Sequence, residues 1–194
     1  MELNNNTLYG GLHLMYIGQI VLLIGIFGGI ILLLIPGLSV LGLLVLLAGA
    51  VGAIISIVGQ FKLRNEHPDY MTAFVLLIVA FVLNLIYRNS TGIIAAVSDL
   101  SGSAVSLAGT YFVIRATNSF LSRKGREDLA AKGKTTLIVQ IVTSVAAILL
   151  GLLTDVLGDN LGGLLVLLIA VSALGIIGGL FIISYLKVSA EALR

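Results

Sequence analysis

The chain has 194 residues, 59% of them hydrophobic and 10% charged, with a mean hydropathy of +1.16 and a net charge of +2. A water-soluble domain carries about 25% charged residues, so this composition excludes a chain that covers its own surface with polar groups. The absence of cysteine excludes disulfides, thiolate metal sites, iron–sulfur clusters and a cysteine nucleophile.

The opening residues, MELNNNTLYGG, are acidic and polar rather than basic, and no small-residue cleavage site follows a short apolar core. No cleavable signal is expected, and the first apolar segment should stay in the mature protein. Between Glu2 and Lys62 there is no charged residue. As one helix that stretch would be roughly 88 Å long, about three bilayer cores, so it must fold back. The predicted turn is IPGLS around Pro36 and Gly37, because proline breaks the helical ladder and glycine accepts tight-turn conformations.

Charge-free windows then place apolar spans at about 12–34, 38–61, 70–87, 135–155 and 161–186. Each approaches or exceeds the ~20 residues that cross a hydrocarbon core. The fourth span has two readings. If RNST (Arg88–Thr91) is the turn, helix 4 starts near Gly92 and carries Asp99 about 10 Å along its axis. A carboxylate there would be costly and, by default, functional, as a proton or cation site. If SDLSGS (Ser98–Ser103) belongs to the connection, the helix runs from about Ala104 to Leu121 within a span of about 100–121. Asp99 then meets water, and TGIIAAV becomes an outer-surface or re-entrant segment. The serines and Gly102 favour the connection.

The expected fold class is therefore an all-α integral membrane protein, one domain of six transmembrane helices arranged as three hairpins. Basic residues set the orientation. Ten of the eleven lie in the 2–3 loop, at the end of helix 4, in the 4–5 loop or in the tail, and only Arg88 lies on the other face. The positive-inside rule makes the ten-residue face cytoplasmic, with both termini inside and the plasma membrane as the location. Tyr16, Phe61, Tyr70, Tyr87, Tyr111 and Tyr185 fall near span ends, where an amphipathic ring suits the headgroup layer.

An internal repeat is visible at an offset of 121 residues. Aligning 16–47 with 137–168 gives twelve identities in 32 positions, among them Gln19/Gln140, Gly37/Gly158 and a shared GLLVLL. The offset maps helices 1 and 2 onto 5 and 6 in parallel. Ancient duplication and convergence on one bilayer-fitted pattern both remain open. Glycines also recur at helical spacing: Gly25 and Gly29, Gly175 and Gly179, Gly42 and Gly49, Gly52 and Gly59. They predict close helix packing inside the molecule, with a homo-oligomer through the same faces as the alternative.

Few residues are left for chemistry. Gln19, Asn84, Asp99 and Gln140 are the candidates for a polar pathway or for interhelical contacts, and for the two glutamines packing is the favoured reading. His67 stands in NEHPDY with Glu66 and Asp69, but this set lacks any recognised metal-ligand spacing, and a loop followed by a Pro-Asp helix start explains it. The stretch SRKGREDLAAKGK is expected to extend helix 4 and then form a cytoplasmic loop. Its Arg123, Lys124, Arg126, Lys132 and Lys134 would contact anionic lipid at about 1 kcal/mol per basic residue. Membrane lipids are the expected partners. No catalytic, cofactor, metal or nucleic-acid motif is present, so an enzyme is not expected. The first expected function is transport or conduction of a small solute or ion. The second is a non-catalytic scaffold, partner subunit or regulator acting through the basic loop.

Overall fold

The computed structural model describes residues 5–157 and 161–194. It is all-helical: α1 (Asn5–Leu34), α2 (Ser39–Leu63), α3 (Pro68–Arg88), α4 (Gly92–Arg123), α5 (Glu127–Leu157) and α6 (Leu161–Ala192). Among the described residues, all of these except α4 are long and apolar enough to cross a membrane. Gly158, Asp159 and Asn160, which include the second glycine of the repeat's turn pair, lie outside the described residues.

Local chemistry explains the breaks. After α1 the chain turns at Gly37, whose φ of +84° is left-handed and costs a residue without Cβ little. α3 begins with His67 as N-cap, its Nδ1 accepting the Asp69 amide at 3.1 Å, and Pro68 at the first helical position needs no amide partner. α4 stops at Gly125 (φ +70°) in a Schellman arrangement, with the Arg126 amide donating to the Leu121 carbonyl and the Gly125 amide to that of Ser122.

Two expectations are corrected here. The stretch Ser98–Ser103, read as a connection, is helical, and α4 begins at Gly92, so it extends well beyond the expected 100–121. Serine and glycine favour turns in isolation, but tertiary context overrides that preference. Ser98 is buried, and Gly102 lies against α3, where an added methyl would come within 3.5 Å of Asn84 Nδ2. SRKGREDLAAKGK extends helix 4 as expected, but only through Arg123, and the loop that follows is short. Only 124–126 connect, and EDLAAKGK forms the first turns of α5.

α1 and α2 pack backbone to backbone. A methyl on Gly18 would meet the Ser56 amide nitrogen at 2.5 Å, one on Gly25 would overlap Gly49, and one on Gly52 would meet the Leu22 nitrogen at 2.5 Å. α3 lies on α4, and α5 on α6. α6 also returns to α1, where Gly175 receives Phe27 and Gly179 receives Leu23. The apolar core gathers at one end of the bundle, around Leu8 and Leu12 of α1, Leu63, Tyr70, Phe120 and Leu121, Leu186 of α6 and Leu193 just beyond it. The same end carries the connections 64–67 and 124–126 and the C-terminus. It is called the basic end below.

Candidate functional site

Two places concentrate polar residues. The first is α4 between Gly92 and Thr110, whose sequence contains Ser98, Asp99, Ser101, Ser103 and Ser106. Three residues, 89–91, separate α3 from α4. Asn89 closes α3 by donating its amide to Leu85 and Ile86. Asp99 therefore stands seven residues beyond the start of α4, about 10 Å along its axis. Asn84, across from Gly102, donates its Nδ2 to the Ala80 carbonyl of its own helix at 3.0 Å.

The two glutamines bond between helices. Gln19 Nε2 of α1 donates to Ser56 Oγ of α2 at 3.3 Å, and Gln140 Nε2 of α5 donates to the Gly178 carbonyl of α6 at 2.6 Å. The partners lie 37 and 38 residues downstream, nearly the same place in each half of the sequence repeat.

The second polar place is the basic end. Asp69, 7% exposed, is flanked by Arg115 of α4, whose Nε stands 2.8 Å from its Oδ2. Tyr70, 1% exposed, shares a 2.8 Å hydrogen bond with Thr117, which itself donates to the Val113 carbonyl. Tyr185 is fully buried and donates to Asn118 Oδ1 at 2.8 Å. Tyr70 and Tyr185 were read as headgroup-layer rings. They do sit at helix ends, but in the protein core, because Thr117 and Asn118 satisfy the hydroxyls that would otherwise be stranded. The sequence held a signal: both tyrosines are followed within three residues by small or apolar core positions, and α4 offers a hydroxyl and an amide side by side at Thr117 and Asn118.

Between α4 and α5 at this end lies a half-open cleft of about 290 Å³. One wall is the α4 stripe Arg115, Asn118, Ser119 and Ser122; the other is the α5 stripe Glu127, Ala130, Ala131 and Lys134. Both follow the i, i+3, i+4, i+7 spacing of a single helix face, and the two alanines leave the groove open. Of the basic residues expected to meet lipid, Lys134 lines this cleft. Arg126 is held by Asp128 through two contacts of 3.0 Å, and Lys132 donates to Ser184 at 2.9 Å. Arg123 lies over Phe120, 5.7 Å from its centroid, and Lys124 is exposed.

No protein-family model matches the chain, and no curated protein or solved structure is significantly similar to it.

Proposed function

We propose that the chain is an integral membrane protein of three helical hairpins and six crossings, and that it moves a small cation or a proton-coupled solute, with Asp99 as the charged residue of the path. The observation that carries this reading is the start of α4 at Gly92, which puts Asp99 inside a helix. A carboxylate at such a position costs about 2.5–3.5 kcal/mol on insertion scales near the bilayer centre, and persists when it is paired or used. Both termini face the cytoplasm with the basic end, following the bias of arginine and lysine, and the plasma membrane is the proposed location.

The test is proton uptake into proteoliposomes under an imposed potassium diffusion potential, read with an internal pH dye. The wild-type chain is expected to acidify the lumen faster than protein-free vesicles, and Asp99→Asn to return the rate to that background. Equal rates for the two proteins would overturn the assignment.

A second reading has its own support. Asp69, Arg115, Thr117, Asn118 and Tyr185 tie α3, α4 and α6 together at the basic end, which suits a rigid platform for a scaffold or regulator. In that case Asp99→Asn leaves the flux assay at background for both proteins, and the basic surface carries the activity.

A further inference from the structure

The cleft between α4 and α5 has a polarity that follows its depth. α4 runs toward the 124–126 connection and α5 runs away from it, so Ser122 and Glu127 stand at the outer mouth. Arg115 and Lys134 stand seven residues deeper along their helices, about 10 Å toward the apolar part of the bundle. Two cations therefore line the apolar side of the groove, Arg115 with Asp69 behind it, and one carboxylate lines the water side. The Arg115 side chain is 56% exposed despite its pairing with Asp69, and among the described residues no partner atom holds either Lys134 or Glu127.

A phospholipid that carries a primary ammonium has the same order of charges. Its phosphodiester lies next to the glycerol and the acyl chains, and its ammonium projects further into water. We propose that this cleft holds the headgroup of an aminophospholipid, with the phosphate between Arg115 and Lys134 and the ammonium at Glu127. Ser119 and Ser122 add hydroxyls along the wall between these poles. Charge-assisted bonds of both signs would fix the headgroup's direction, and Ala130 and Ala131 leave space for it. A purely anionic headgroup would gain at the deep end and meet repulsion from Glu127 at the mouth. The proposal rests on the membrane reading above and is independent of transport.

The experiment follows the melting of the detergent-purified full chain during titration with phosphatidylethanolamine, phosphatidylcholine or phosphatidylglycerol. Phosphatidylethanolamine is expected to act at a concentration about tenfold lower than phosphatidylcholine, whose quaternary ammonium has no N–H to donate. Glu127→Gln should erase that preference and improve the response to phosphatidylglycerol. Lys134→Gln should weaken the response to all three. Soluble phosphoethanolamine as effective as the lipid would overturn the lipid assignment in favour of a free ligand. Equal responses to the three lipids, or a preference that survives Glu127→Gln, would overturn the site. Carbonate extraction of the reconstituted chain from vesicles is the separate control, since release there would reject the membrane reading rather than the cleft.

Discussion

Gly25 of α1 and Gly49 of α2 meet with no side chain between them, and a methyl on Gly25 would overlap the Gly49 backbone. Neither backbone can yield without moving its whole helix. Gly25→Ala is therefore expected to destabilise the purified protein by about 1–3 kcal/mol, the usual range for overpacking. Gly10→Ala is the control, because a methyl there meets nothing within 4 Å. A melting temperature for Gly25→Ala equal to that of Gly10→Ala would contradict the packing of α1 on α2.

The Tyr185–Asn118 bond joins buried Tyr185 of α6 to Asn118 of α4 at the wall of the cleft. Tyr185→Phe leaves the Asn118 oxygen without this donor and should cost about 0.5–1.5 kcal/mol, the net worth of one hydrogen bond, because water in the cleft can reach Asn118. Replacing both residues, as Tyr185→Phe with Asn118→Leu, should cost less than the sum of the single changes. Strict additivity in that cycle would mean the two side chains do not interact.

Gln140 offers a smaller effect. Its bond to the Gly178 carbonyl is of a kind that averages about 0.6 kcal/mol, so Gln140→Leu should barely change the melting and should leave proton uptake intact. Lost uptake in this variant would move Gln140 from helix packing to the transport path.

Much of this architecture was legible in the residues, and the exceptions have a physical pattern. The break at Pro36–Gly37 and the start of α3 at Pro68 follow from local chemistry that does not need the rest of the fold. By contrast, α1 and α5 begin well before the expected 12 and 135, in polar sequence that packing at the basic end keeps helical. Nor was the start of α4 legible, because serine and glycine at 98–103 carry a turn preference that contact with α3 outweighs. The same holds at the basic end. Nothing local in NEHPDY says that Asp69 will be buried against Arg115, 46 residues away. Nor does GKTT reveal that Gly133 is needed where a methyl would meet Asn118 and Tyr185. The glutamines were the intermediate case: their type and depth pointed to interhelical bonding, while the partners Ser56 and Gly178 emerge only from the packed pairs.

Orientation can be read directly, because a chain without cysteine accepts single cysteines anywhere. In intact cells, Lys124→Cys should be protected from an impermeant thiol reagent and Asn89→Cys should react, if the basic end is cytoplasmic. The opposite pattern would reverse the topology and place the basic cleft outside.

The central proposal is that the part of α4 holding Asp99 lies within the membrane, and the comparison of Asp99→Cys with Asn89→Cys tests it most directly. Asn89 caps α3 in the three-residue connection, while Asp99 stands about 10 Å into the next helix. With a bulky, impermeant maleimide applied to intact cells, the account predicts prompt labelling at position 89 and labelling at least about tenfold slower at position 99, where the hydrocarbon layer excludes a charged reagent. Equal rates at the two positions would put Asp99 at the water surface and remove the basis for a transport role.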